Sequence, residues 1–297
     1  MIDILKTLTN EKNIHVNEPM SKHTTFKIGG TADFYVCPET KNQLKDIIER
    51  LKKESLPFIV IGNGSNLLVS DKGIEGAVIS TEKLTGINIS GNSIYSDAGV
   101  KLSALASEAT KSSLSGLEFA AGIPGTVGGG IFMNAGAYDG EIKNIVEFVR
   151  VLRNGQIIDL TPDLCFFGYR SSIFQSNGDI ILGASFLLTP GDREEITAKI
   201  FELNSRRKLK QPLEFPSAGS AFKRPEGYFA GKLIEDSGLR GFSIGGAQVS
   251  EKHCGFIINK GGATASDVTE LIKYIKTSVY IRYGVKLQEE IKVIGRR

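Results

Sequence analysis

Between positions 116 and 140, glycine stands at Gly116, Gly122, Gly125, Gly128, Gly129, Gly130, Gly136 and Gly140. Glycine loses more backbone freedom on folding than any other residue, so such a run opposes folding unless something requires it. The usual requirement is close approach of the backbone to a ligand, with amide N–H groups turned toward an anion. The residues between the glycines (Ile123, Pro124, Val127, Ile131, Met133) are apolar, which does not suit a flexible polar linker. The alternative, a tight turn with a buried strand, needs far fewer glycines. A second loop, Gly62-Asn-Gly-Ser-Asn66, follows the apolar run Phe58–Ile61. It starts like a dinucleotide fingerprint, but Leu67 stands where the third glycine belongs and no helix signal follows, so a Rossmann site is not supported. A strand–loop–strand can still offer its amides to a pyrophosphate; a glycine-rich hairpin is the equal alternative. Arg170 lies in sequence among Phe166, Phe167, Tyr169, Ile173 and Phe174, and an arginine buried there needs an anionic partner. The run Arg206-Arg207-Lys208-Leu209-Lys210 is either a cationic last helical turn or a patch facing phosphate.

The elements that position these residues follow from periodicity. A short helix is expected over 1–12 and a strand between Gly30 and Pro38. Thr40, with Gln43 three residues on, opens a helix on Leu44, Ile47, Ile48 and Leu51 that stops before Pro57. Short strands follow at Phe58–Ile61, Leu67–Val69, Ala77–Ser80, Ile87–Ile89 and Ser93–Ser96, then a helix through Leu102, Leu105 and Ala109. Asn154-Gly155 between Ile145–Leu152 and Gln156–Leu160 signals a hairpin. A strand Ile180–Leu188, a helix from Asp192 to about Lys210, and a break at Pro212 and Pro216 come next. The last third carries a helix near Ala230–Ser237, a longer helix Asp267–Tyr283 ended by Gly284, and a closing strand Leu287–Ile294.

The chain has 297 residues, 41% hydrophobic and 23% charged, with a net charge of +3. That is an ordinary soluble balance with room for two or three domains, and it gives no sign of a nucleic-acid binder. Cys37, Cys165 and Cys254 are widely spaced, with no CxxC or Cys/His cluster, so neither a disulfide framework nor a metal site is indicated. The absence of a leader or spanning apolar run points to a cytoplasmic protein with no membrane contact.

Seven motifs in order resemble the UDP-N-acetylenolpyruvoylglucosamine reductases. They are Gly62–Asn66, Ala121-Gly-Ile-Pro-Gly-Thr-Val-Gly-Gly130, Asn134-Ala-Gly-Ala-Tyr138, Tyr169-Arg-Ser-Ser-Ile-Phe174, Ala218-Gly-Ser-Ala-Phe222, Gly246-Ala-Gln-Val-Ser250 and Leu287–Glu290. The resemblance covers nearly the whole chain and favours the shorter, type II branch. One departure is Asp139, where the family often has glycine. The implied fold is α+β: a vanillyl-oxidase/PCMH-type FAD-binding domain of two α/β subdomains plus a C-terminal α+β substrate-binding domain. The implied parts are residues 1–56 completed by 291–297, residues 57–191 for FAD, and residues 205–290 for substrate.

The family reaction carries a hydride from NADPH through FAD to the terminal vinyl carbon of UDP-N-acetylglucosamine enolpyruvate, leaving an enolate that must be stabilised and protonated. The resemblance implies Arg170 as the cation on that carboxylate, Ser220 as proton donor and Glu290 as the third catalytic residue, with Glu289 on the opposite, solvated strand face. An isolated serine is usually a turn former; only its motif raises Ser220 above Ser217. For FAD, held non-covalently since no histidine lies in the glycine loops, the expected contacts are Gly62, Asn63, Gly64, Ser65 and Asn66 at the pyrophosphate. Ile123, Pro124, Gly125, Thr126, Val127, Gly128, Gly129, Asn134, Ala135, Gly136 and Ala137 are expected along the isoalloxazine and ribityl side. Tyr138, Lys223, Arg224, Lys232, Gln248 and Asn259 are the candidates for the UDP-sugar. A monomer is expected. Two other readings compete: another flavin oxidase or dehydrogenase of the superfamily, and a non-catalytic nucleotide-binding protein. Neither requires Arg170, Ser220 and Glu290 together.

Overall fold

Apolar spacing along the chain sorts its elements into two compact units in the computed structural model, which describes residues 1–296. The first comprises Met1–His15, Phe34–Asn63 and Ala77–Arg207; the second comprises Val16–Asp33, Gly64–Gly76 and the residues from Lys208 on. The N-terminal residues 1–56 are thus shared between the two.

The first unit is built on a five-stranded antiparallel sheet. Its spatial order is Gln156–Leu160, Val146–Arg153, Ile180–Leu187, Ser93–Asp97, Ile87–Ser90. The expected hairpin is present: Asn154 and Gly155 both take left-handed backbone (φ 49° and 79°), which matches the twist of the strands they join. Ile181, Leu182, Ala184 and Phe186 on the central strand are buried, as a strand covered on both faces requires. The helices Leu102–Lys111 and Val127–Met133 contribute Leu102, Leu105, Ala109, Val127 and Ile131 to the same core. A parallel pair, Phe58–Ile61 with Ile74–Ser80, sets Phe58 against Ala77 and Ile61 against Ser80. The helix Lys41–Lys53 contributes Leu44, Ile47, Ile48 and Leu51 to that region's core. The Gln43 amide donates to Thr40 Oγ1 (3.1 Å), while Gln43 Oε1 accepts from Glu39 N rather than from the cap residue itself.

The second unit holds a four-stranded sheet in the order Ser217–Ser220, Phe256–Asn259, Ala247–Val249, Ser243–Ile244. The helix Ala265–Tyr283 buries Val268, Leu271, Ile272, Ile275 and Val279, a stripe of helical period. Gly284 ends it at φ 69°, as expected from a left-handed C-terminal cap. The closing strand is shorter than expected: only Lys292–Ile294 is regular, paired parallel with Leu67–Val69. Residues 287–290 run beside residues 221–223 through Lys223 N to Gln288 O and Glu290 N to Ala221 O (both 2.9 Å), while Leu287 and Ile291 are buried.

The start of the long helix is doubly capped. Thr264 and Asp267 form a reciprocal capping box, and Asp71 accepts from Ala265 N (2.7 Å), Ser266 N (2.9 Å) and Ser266 Oγ (2.8 Å). Burial pushes the Asp71 carboxyl up, but these three donors outweigh it and hold it below the usual carboxylate range. A depressed folded pKa stabilises at pH values above the ordinary carboxylate range, and that contribution disappears as pH falls through the folded value. Asp71→Ala therefore lowers urea-unfolding stability at neutral pH by about 1–2 kcal/mol, the scale of a lost helix cap. Between pH 6 and pH 3, Asp71→Asn loses less stability than the wild type; equal losses would contradict this account.

Candidate active site

The loop Gly62–Asn66 leaves its donors unspent. Among the described residues, the backbone N–H groups of Gly62, Asn63, Gly64 and Ser65 donate to no protein acceptor. Successive free amides of this kind suit phosphate oxygens. Its two glycines are required on space alone: a Cβ on Gly62 would strike Thr126 Oγ1, and one on Gly64 would strike the His23 carbonyl. Gly64 also takes φ 60°. The flanking side chains are tied down, Asn63 Nδ2 to Pro124 O (2.7 Å) and Asn66 Nδ2 to Glu290 O (3.0 Å).

The longer glycine stretch behaves differently. Where the sequence suggested amides turned toward a ligand, Val127–Met133 is a helix whose first N–H groups are already paired. Val127 N donates to Val100 O (2.8 Å), Gly128 N to Ala98 O (2.9 Å), Gly129 N to Thr126 Oγ1 (3.4 Å) and Gly130 N to Thr126 O (2.7 Å). The glycines serve packing instead: a Cβ on Gly128 would press on Ala98 and one on Gly130 on Leu102, both near 3.0–3.3 Å. Gly129 alone in this turn is exposed with only ordinary contact, so it leaves a smooth surface. Ile123, Gly125, Ala135, Gly136 and Ala137 are half-buried and Pro124 is exposed. Asn134 is fully buried at φ 42°. Its side chain donates to Gly168 O (2.9 Å) and Glu141 Oε2 (3.2 Å) and accepts from Lys143 N (3.0 Å), which makes it a scaffold residue.

Gly168 and Ser171 exchange two backbone hydrogen bonds (3.0 and 3.2 Å) around the turn residues Tyr169 and Arg170. Arg170 takes φ 52°, a conformation that favours glycine. Gln175 Nε2 steadies it by donating to Arg170 O (3.1 Å) and Phe132 O (3.0 Å), and Ser172 Oγ donates to Phe132 O (2.7 Å). The Arg170 guanidinium donates to Gly136 O (2.9 Å) and lies 5.3 Å from the Tyr169 ring centroid. The aromatic surroundings are more open than the sequence suggested. Phe174 is buried, but Phe166 and Tyr169 are exposed, and Arg170 itself is half-buried. Glu141 lies within reach of its field: burial raises that carboxyl, but hydrogen bonds from Lys143 and Asn134 and the charges of Lys143 and Arg170 bring it below its ordinary value.

Ser220 and Glu290 belong to the second unit, Arg170 to the first. Ser220 follows a bulge between Ser217 and Ser220 where Gly219 takes φ 78° with open space at its Cβ, so glycine is needed there for conformation alone. Ser220 Oγ makes no hydrogen bond among the described residues. The bond from Glu290 N to Ala221 O brings the Ser220 and Glu290 segments side by side. Glu289, expected to be solvated, is half-exposed and paired with Lys276 (2.7 Å).

The remaining candidates divide by how far the protein already uses them. Asn259 is spent: its side chain donates to Phe26 O (3.2 Å) and accepts from Gly261 N and Ala263 N. Lys232 pairs with Asp236 (2.6 Å) at the surface, and Arg224 lies 4.0 Å from the Phe229 ring centroid. Lys223 is half-buried. Gln248 donates to Gly241 O (3.1 Å), while its buried Oε1 has no partner among the described residues. Tyr138 stacks with Arg206 at 5.1 Å. The sequence reading missed Gln175, Ser172 and Glu141, whose roles are backbone support that no local pattern announces.

Family models match two stretches of the chain: an FAD binding domain over residues 32–161, and the UDP-N-acetylenolpyruvoylglucosamine reductase C-terminal domain over residues 211–294. The UDP-N-acetylenolpyruvoylglucosamine reductase of Caldanaerobacter subterraneus is 51% identical over 100% of this chain and 99% of its own length. That of Clostridioides difficile is 49% identical over 99% of this chain and 97% of its own. The crystal structure of the Thermus caldophilus reductase superposes with a TM-score of 0.81 at 36% identity, covering 94% of this chain and 97% of that one.

Because Arg170 holds a backbone conformation that glycine adopts freely, Arg170→Gly retains more stability than Arg170→Ala, by about 1 kcal/mol in urea unfolding. An alanine variant as stable as the glycine variant would show that the turn relaxes out of the left-handed region.

Proposed function

The chain belongs to the UDP-N-acetylenolpyruvoylglucosamine reductase family, and on that premise we propose that Arg170, Ser220 and Glu290 carry its chemistry. It is an FAD- and NADPH-dependent oxidoreductase that reduces the enolpyruvyl ether of UDP-N-acetylglucosamine enolpyruvate to UDP-N-acetylmuramate, a peptidoglycan precursor. Bound FAD supplies the hydride, taken from NADPH.

The unspent amides of Gly62–Ser65 fit a pyrophosphate, with the Asn63 and Asn66 side chains holding the loop. Ile123, Pro124, Gly125, the open face at Gly129 and Ala135–Ala137 line the rest of the cofactor, and the buried Thr126, Val127 and Asn134 support them from behind. Arg170 holds the substrate carboxylate with its planar donors and spreads the negative charge that develops when hydride adds to the vinyl carbon. Ser220 delivers the proton to the adjacent carbon, and Glu290 orients that transfer. The observation that carries this assignment is the pairing of the Ser220–Lys223 and Gln288–Glu290 segments, which brings two of the three residues together.

For the UDP moiety, Lys223 and Arg224 offer charge to the diphosphate, Gln248 offers its unpartnered oxygen, and Tyr138 offers a ring. Lys232 is a longer-range cation, and Asn259 shapes the turn at Gly261. In this division residues 57–191 serve the flavin and 205–290 the substrate. Residues 1–56 and 291–297 form the N-terminal α/β part, Arg297 lying outside the described residues. We further infer a monomer working in the cytoplasm; no helix among the described residues is long and apolar enough to cross a membrane.

In Ser220→Ala, anaerobic stopped-flow measurements show flavin bleaching by NADPH at the wild-type rate. Return of the flavin band with UDP-N-acetylglucosamine enolpyruvate slows by about 100-fold or more, the scale of a lost general acid. An unchanged second half-reaction would remove Ser220 from its role.

A further inference from the structure

The helix Arg193–Lys210 ends in two adjacent arginines that are used differently. Arg206 lies over the Tyr138 ring and near Glu202 (3.4 Å). Arg207 lies along the glycine loop. A Cβ on Gly122 would stand 3.2 Å from Arg207 Cδ and 3.6 Å from Arg207 Nη1, with Asn204 Oδ1 at 2.6 Å. The absent side chain is therefore what lets this guanidinium lie against the loop backbone.

Two other arginines of this unit are matched to carboxylates. Arg150 forks onto Asp159 (2.7 and 2.8 Å), and Arg153 forks onto the buried Asp179 (2.6 Å). Arg207 is half-buried, yet among the described residues it has no carboxylate partner and donates to no acceptor. Burial pushes its guanidinium below the ordinary arginine value, and among the described residues Tyr138 is the titratable neighbour that acts against this. A partly desolvated cation without an anion is costly to fold around.

We propose that Arg207 is an anion-binding residue that holds a phosphate of a bound nucleotide's pyrophosphate beside the Gly122 loop. FAD and the UDP-sugar both carry that group, and the inference rests on the reading of the chain as a flavoenzyme acting on a UDP-sugar. The guanidinium fork suits two phosphate oxygens, a geometry lysine does not reproduce.

The test compares the wild type with Arg207→Gln, Arg207→Lys and a charge control, Lys199→Gln, an exposed residue of the same helix paired with Glu202. FAD affinity is read by flavin fluorescence on reconstituting apoprotein, and UDP affinity by calorimetry on the holoenzyme. A charged hydrogen bond lost at such a site weakens binding by about 10- to 100-fold. A loss of that size in FAD affinity for Arg207→Gln assigns the cofactor's phosphate; one in UDP affinity assigns the substrate's. In either case Arg207→Lys falls between and Lys199→Gln matches the wild type. If both affinities of Arg207→Gln stay within about twofold of wild type, the proposal is overturned. It is also overturned if Lys199→Gln loses as much, since net charge alone would then explain the effect. Should Arg207→Gln fail to fold, Arg207→Lys decides by the same criteria. A wild-type chain that binds neither FAD nor UDP would overturn the underlying functional reading, and this proposal with it.

Discussion

The left-handed turn at Arg170 is the constraint to which the first unit's site is fitted. An arginine at φ 52° sits about 1 kcal/mol above where glycine would sit, so its surroundings must hold it there. They do so through a chain of backbone acceptors. Thr126 caps the short helix, which ends in Asn134, itself left-handed and fully buried. Asn134 grips Gly168 at the base of the turn, while Gln175 and Ser172 converge on the Phe132 carbonyl at the helix end. Weakening any one of these leaves a polar partner unpaired and loosens the turn that carries the guanidinium.

The partners of their amides separate two loops that look alike in composition. Buried amides are almost always paired, so where they donate tells what a glycine is for. In Val127–Met133 the amides go to Val100, Ala98 and Thr126, and the glycines let a helix approach its neighbours closely. In Gly62–Ser65 the amides have no protein acceptor among the described residues, and the glycines clear space for that backbone. Only the second pattern asks for an anion. Glycine density, the most conspicuous signal in the chain, thus reports tight packing at one loop and amides without a protein acceptor, among the described residues, at the other.

Much of the fold was legible because it rests on local signals. Thr40 with Gln43, Asn154-Gly155, Gly284 and the stripe on Ala265–Tyr283 each state a cap, a turn or a buried face in a few residues. The helix Val127–Met133 was not legible: three glycines argue against it by about 1 kcal/mol each, and tertiary contacts override that. The closing strand was overread because Leu287 and Ile291 are buried outside regular pairing. In the candidate site, motifs pointed to Arg170, Ser220, Glu290 and Asn134, but Asn134 was read as a cofactor contact where its side chain is spent on Gly168, Glu141 and Lys143, and Gln175 supports the Arg170 turn through backbone that no motif announces. Asp139 shows the reverse case. Its φ of 66° in the turn after Gly136–Ala137 explains why glycine is common there, and aspartate is among the few side chains that tolerate it.

The role proposed for Ser220 raises a question of acidity, since a hydroxyl is a weak proton donor at neutral pH. Among the described residues no base is hydrogen-bonded to Ser220, and a strongly acidic donor is not what the chemistry needs. Hydride addition to the vinyl carbon creates a far stronger base than any group on the protein, and proton transfer to it is then downhill. What the donor needs is to be close, correctly aimed and not occupied. The bulge at Gly219 aims it, and pairing of the Ala221 carbonyl with Glu290 fixes the segment. Among the described residues no protein acceptor takes the hydroxyl proton, which is what the proposed transfer requires. On that proposal, availability of the hydroxyl is the property this arrangement supplies.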